Sequence, residues 1–305
     1  MHDSLSDKLT QLEQKFAAMG QDMSAYLEGL LQADYLTYWD YIHLDTLLSL
    51  QNPKTAYPDE LIFVTYHQIT ELYFKLILHE IAQIADAAPL TADFFTARIQ
   101  RINRYFGLLE ESFGVMIAGM EREQFLKFRM ALLPSSGFQS VQFREIEIVS
   151  TNFPNLLIDP PARATTISEQ YDAIYWKRGA TELATHQKTL TLKQFDQQYS
   201  GRLIRLAEAY QPRNLNQRLL DLEQAGGATD ELRSALREYD QRVNVRWKLA
   251  HLRSAVQYLQ KAPDDIRATG GTNWQTYLPP AQQQRMFFPT LWPADALQTW
   301  GKHLH

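Results

Sequence analysis

Residues 59–85 read DELIFVTYHQITELYFKLILHEIAQIA. Apolar side chains recur there at helical spacing and wrap far round the wheel, which predicts a long, largely buried helix from Asp59, placed to cap it, to about Ala87. It is the candidate central helix. Working outward, Thr91 can cap a second helix reaching about Met120, a short helix covers Glu121 to Leu132, and Pro134 ends that piece. Before the central stretch, residues 4–32 read as a helical arm with a break near Gly20, and residues 34–50 as an aromatic cluster followed by a short amphipathic helix. After it, PSSGFQS (134–140) has the composition of an ordered loop in which Gly137 can take a positive φ. Residues 151–165 form an irregular connector, and 167–224 read as shorter helices in an inserted layer. Gly226-Gly227 then breaks the chain before a long helix from Thr229 to about Gln260, stopped by Pro263. β-Branched runs bounded by turn residues are scarce, so the expected fold class is all-α. The expected organisation is an arm, 1–32, and a single domain, 33–305.

Composition narrows the function. The 305 residues carry 21% charged side chains and a formal charge of −5, with acids and bases interspersed and no basic stripe to neutralise phosphates, which argues against a nucleic-acid partner. There is no cysteine, which removes disulfides, thiolate haem ligation, iron–sulfur clusters and cysteine nucleophiles together. Any metal must sit on His, carboxylate or Tyr. The opening MHDSLSDKLTQLEQKF is polar and mixed in charge, and no window approaches the roughly 18 apolar residues of a membrane span, so a cytoplasmic protein with no membrane partner is expected. Walker, GxGxxG, GxSxG and HExxH motifs are missing, and His79-Glu80 reads as a helix-surface pair.

Three residues stand out. His67 lies inside the most hydrophobic helix with Phe63 one turn before it. A buried imidazole needs a hydrogen-bond partner or a ligand, since an unpaired N–H costs roughly 1–3 kcal/mol; core packing satisfies that need as well as function does. His251 sits in VRWKLAHLRSAVQYL (245–259), one turn after Trp247. In a Cys-free protein a neutral imidazole is the simplest haem-iron ligand, although a core histidine reads the same way. Arg129, among Phe125, Phe128, Leu132 and Leu133, needs an anion, either a ligand carboxylate or a structural acid. The aromatic residues of YWDY (38–41) read as core or interface side chains, and ATGGT as a turn.

In order along the chain, YWDYIHLDTLLSLQ (38–51), DELIFVTYHQITELYFKLILHE (59–80), FRMALLPSSGFQSVQFREIE (128–147), RWKLAHLRS (246–254) and ATGGTNW (268–274) resemble the tryptophan 2,3-dioxygenase family; PSSGFQS and HQxxEL are the most distinctive. The resemblance implies a haem-binding helical bundle, haem b (Fe2+/Fe3+), O2 as co-substrate and L-tryptophan as substrate, in a homotetramer with exchanged N-terminal arms. It implies that His251 is the proximal iron ligand and His67 the distal histidine that meets the indole N–H. Phe63 then lines the distal pocket, Arg129 pairs with the substrate carboxylate, Thr269 contacts the amino-acid end, and Ser136 lies near the haem edge. Phe125 and Leu132 flank Arg129 in the substrate-binding set, and Tyr38 and Tyr41 would be supplied by a neighbouring subunit. Two departures accompany it: Phe125 stands where some members have Tyr, and the segment from His251 to Thr269 is longer than the pattern suggests. Competing readings are a haem monooxygenase or peroxygenase acting on a related aromatic amino acid, a bis-His electron-transfer cytochrome on His67 and His251, and a helical scaffold that has lost haem.

Overall fold

The computed structural model describes residues 4–133, 135, 137–159, 163–181, 187–259 and 279–301. The chain divides into two units, residues 1–52 and 53–305. In the first, α1 (Leu5–Ala18) begins with a capping box between Ser4 and Asp7. It ends before Gly20, whose φ of 67° turns the chain into α2 (Met23–Leu31), the expected break. The aromatic cluster forms its own helical turn, α3 (Tyr38–Tyr41), and α4 (Leu44–Leu48) follows. None of these four helices buries a side chain.

The second unit is built on α5 (Asp59–Asp86), whose 28 residues span about 42 Å. Its start differs from expectation. Asp59 makes no cap for its own helix; its Oδ2 accepts the Glu121 N–H (2.5 Å), while the Asp59 N–H donates to Gln124 Oε1 (3.2 Å). The carboxylate therefore caps α7 (Arg122–Phe128) and ties it to the first turn of α5. α6 (Ala92–Ala118) does begin at Thr91, whose hydroxyl accepts the Phe94 N–H. After α7 the chain tightens into a 3₁₀ turn, Arg129–Leu132. Gly137 opens another 3₁₀ turn (Gly137–Gln139) in a right-handed conformation and makes no use of its access to positive φ.

α8 (Val141–Ser150) is a buried helix that periodicity missed, because acids and an arginine alternate with its apolar residues. Next come α9 (Ile167–Gln170), α10 (Tyr175–Gly179), α11 (Leu190–Tyr210) and α12 (Leu215–Gln224); α11, at 21 residues, is longer than the short pieces expected there. The final long helix is α13 (Asp230–Gln241) and α14 (Trp247–Leu259), joined by a π-helical turn at Arg242–Arg246. The terminal segment adds α15 (Pro280–Gln283) and α16 (Ala296–Thr299). Among the described residues there is no strand, only two isolated bridges. The fold is all-α.

α5 packs on α6 and α8, α13 and α14 pack on α6, and α11 covers α8. Phe74, Ile77, Ile81 and Ile84 of α5 meet Phe95, Ile99, Ile102 and Phe106 of α6 in the main core. A second cluster, Tyr66, Phe113, Met116, Phe125, Phe128 and Tyr258, lies around the N-terminal half of α5. α5 is not buried all round, however: Leu61, Ile69, Leu72 and Leu76 are exposed. Nor is Glu80 a surface residue. It is buried and pairs with Arg98 (3.5 Å) and Arg101 (3.3 Å). Asp240, fully enclosed, accepts from the N–H groups of Phe287 and Phe288, from Trp292 Nε1 and from Asn244 Nδ2, fastening the terminal segment beside the π turn. Burial moves its carboxyl up to about 6, held back by those four donors.

Candidate active site

Between α5, α6, α8, α10 and α14 lies a cavity of about 750 Å³. It collects Phe63, His67, Phe125, Arg129, Leu132 and His251, residues far apart in sequence. Ser136 and Thr269 lie outside the described residues. Tyr38 and Tyr41 form part of the first unit and are exposed there.

His67 borders the cavity one turn after Phe63, and its Nδ1 is 2.7 Å from the Phe63 carbonyl oxygen. A carbonyl only accepts, so Nδ1 carries the proton and Nε2 keeps its lone pair. Burial lowers the imidazole's pKa, with the Phe63 bond and Glu71 opposing, so the ring is held neutral. The Phe63 ring lies 4.2 Å from it, and Phe63 in turn packs on Phe128 (5.6 Å) and Phe125 (6.0 Å). His251 is fixed by a stacked contact with Phe113 (6.0 Å) and by Trp247 (5.9 Å). Desolvation takes its pKa down to about 4, with His67 and Arg144 acting in the same direction, so this ring is also neutral and able to ligate a metal.

Arg129 is buried at the cavity wall, and desolvation lowers its pKa. Its 3₁₀ turn follows directly from α7, so the Asp59–Glu121 bond that fixes α7 also fixes Arg129. Phe125 carries no hydroxyl, and the neighbouring Tyr258, 4.8 Å away ring to ring, does not replace one: its OH donates to the carbonyls of Met116 and Met120.

Another set of lining residues was not singled out by sequence. Arg144 of α8 lies among the rings of Trp176 (5.0 Å), Phe138 and Phe143 (5.3 Å each), and Lys248 precedes His251 by one turn. Among the described lining residues Arg129, Arg144, Arg178 and Lys248 face one acid, Glu71, although the chain as a whole is acidic. The Nε of Arg144 and the indole N–H groups of Trp176 and Trp247 are buried without a hydrogen-bond partner among the described residues. Such a lining suits a ligand that is largely apolar and carries several negative oxygens.

Comparison with known proteins gives the family. The family model described as tryptophan 2,3-dioxygenase matches residues 28–195, more than half of the chain. The chain belongs to the tryptophan 2,3-dioxygenase family. A family member from Herpetosiphon aurantiacus is 30% identical over 265 residues, covering 86% of this chain and 98% of that protein. A second, from Pseudomonas fluorescens, is 27% identical over 276 residues, covering 85% and 90%. The match to the Ruegeria sp. (strain TM1040) tryptophan 2,3-dioxygenase is stronger, 42% over 128 residues, but spans 41% of this chain and 45% of that protein. Arg144 and Lys248 lie in the segments 128–147 and 246–254 that carry the resemblance, a signal that was present in sequence, whereas Trp176 had none. Among the described residues no helix is long and apolar enough to cross a membrane, and no cluster of acids and histidines forms a separate metal site.

Proposed function

We propose that this chain is a haem-dependent tryptophan 2,3-dioxygenase, adding both atoms of O2 across the indole C2–C3 bond of L-tryptophan to give N-formylkynurenine. The observation that carries the reading is one cavity bordered by a neutral His251, a His67 whose Nε2 is left for an N–H donor, and a buried Arg129. The fit to haem b is supported by the apolar aromatic walls, the neutral imidazole and the unpaired N–H donors. His251 would hold the iron, with Phe113 and Trp247 setting the ring's orientation. When bound, the haem supplies O2 binding and the difficult oxidation, leaving recognition and orientation to the protein.

Arg129 meets the substrate carboxylate, and Phe63 and Phe125 with Leu132 enclose the indole. His67 Nε2 accepts the indole N–H and orients the ring; indole is too weak an acid for this to be obligatory proton abstraction. Ser136 and Thr269 complete the pocket, with Tyr38 and Tyr41 supplied by a neighbouring subunit. The assembly is a homotetramer in the cytoplasm, with residues 1–32 exchanged as arms and residues 33–305 forming the haem domain with its inserted layer at 167–224. Its support is the exposed apolar set Leu61, Ile69, Leu72 and Leu76 on α5 with Leu108 and Val115 on α6, together with the absence of buried side chains in α1 to α4.

The test is direct. Haem-loaded protein is reduced without air, then given L-tryptophan and ¹⁸O2; the absorbance of N-formylkynurenine should rise and both labelled atoms should enter the product. A single labelled atom would indicate a monooxygenase. A low-spin ferrous spectrum that resists CO would make His67 a second iron ligand.

His67→Ala is expected to keep its haem and lose roughly tenfold in rate, since one neutral hydrogen bond contributes about 0.5–1.5 kcal/mol. It should also discriminate less against 1-methyltryptophan. Because burial lowers the His67 pKa, the wild-type acid limb of kcat/KM should lie below the ordinary imidazole value of 6.5 and be missing from the variant. An acid limb that persists unchanged in His67→Ala would assign it to another group.

A further inference from the structure

We propose that the cavity wall formed by α8, α10 and α14 receives the two carboxylates of the porphyrin through Arg144, Trp176 and Lys248, leaving Arg129 for the carboxylate of the substrate. This rests on the haem reading above and says which edge of the ring faces which wall.

The argument is one of charge and unused donors. Glu147, fully buried on α8, accepts from Arg144 at Oε2 (2.8 Å) and from the Tyr175 hydroxyl at Oε1, and the same Oε1 is 4.0 Å from Lys248 Nζ. Lys248 reaches only neutral partners more closely, Asn244 Oδ1 (3.3 Å) and Tyr175 OH (3.4 Å). A third cation, Arg285, lies over the Tyr175 ring (5.0 Å) and donates to the carbonyls of Asn155 and Leu157. Asp240, the next carboxylate, accepts from four neutral donors, which leave its charge in place. Glu147 and Asp240 thus stand against three cations, Arg144, Lys248 and Arg285, an excess that further anionic oxygens at this wall would offset. The donors available point to the same wall: Arg144 Nε and Trp176 Nε1 are buried and unpartnered among the described residues, and both side chains line the cavity. Arg144 is flanked by the rings of Phe138, Phe143 and Trp176, whereas Arg129 comes from a different segment, the 3₁₀ turn after α7, so the two guanidiniums are offered to the cavity by separate elements.

The test compares haem with its dimethyl ester, in which both carboxylates are neutralised and the iron chemistry is unchanged. Full-length protein purified without haem is titrated with each ferric porphyrin in dilute detergent, and binding is read from the Soret band. Wild type should prefer the free acid by roughly a hundredfold, as expected where charged hydrogen bonds are lost. Arg144→Met should cut that preference by roughly tenfold or more, and Trp176→Phe, which keeps the ring and deletes one N–H donor, by roughly two- to tenfold. Circular dichroism checks that the helices are retained; Trp176→Phe decides the matter if Arg144→Met fails to fold. Equal affinity of wild type for acid and ester, or a preference unchanged in both variants, overturns the proposal while leaving the haem reading intact. Uptake of neither porphyrin by wild type overturns both.

Discussion

His251→Ala is expected to purify with little haem and to show no N-formylkynurenine formation. Two tyrosines at the wall are engaged elsewhere, Tyr175 with Glu147 and Tyr258 with the carbonyls of Met116 and Met120. His67, whose Nδ1 bond to Phe63 leaves Nε2 able to ligate, is the rival ligand, and haem retained in His67→Ala separates the two. His251 has a neutral ring with Phe113 (6.0 Å) and Trp247 (5.9 Å) packed beside it, and packing that restricts a ligand's ring lowers the entropy lost on coordination. The measurement is the pyridine haemochrome content per chain with the ferrous spectrum. Normal haem content and an unaltered ferrous spectrum in the variant would place the iron on another residue.

Arg129→Ala is the second large effect, and it should separate binding of substrate from binding of haem. The guanidinium is buried and its pKa lowered by desolvation, so a substrate carboxylate bound there, as proposed, would also leave water. Truncating one partner of such a pair costs on the order of 2–5 kcal/mol, much of it from the charge left unpaired. KM for tryptophan should therefore rise at least about thirtyfold. Haem content should stay normal, because the porphyrin carboxylates are proposed to bind Arg144, Trp176 and Lys248 instead. Tryptamine, lacking the carboxylate, should be a poor substrate of the wild type and lose little further in the variant. Unchanged tryptophan affinity would move the carboxylate contact away from Arg129.

Much of the local structure was legible in sequence. Thr91 caps α6, Gly20 breaks the arm, and the apolar period of residues 59–86 makes α5 a helix, because capping and periodicity are encoded within a few neighbouring residues. The candidate residues His67, Arg129 and His251 were recognisable as unusual for the same local reason, each a polar group in an apolar setting, and motif order supplied the family.

What tertiary structure alone decided is where each polar group finds its partner. Asp59 was legible as a helix cap, but the helix it caps is α7, sixty-odd residues on, because the packing of α7 on α5 brings the Glu121 N–H to it. Glu80 looked like a surface acid until Arg98 and Arg101 of α6 closed over it. Arg144, Trp176 and Lys248 were not singled out in sequence. Only the packing of α8, α10 and α14 around one cavity gathers their unused donors and excess charge into a single wall. Sequence determines which segments become helices, since those free energies are local; the charge balance of a buried site is a sum over side chains from distant segments, and only the folded packing of the chain sets its terms.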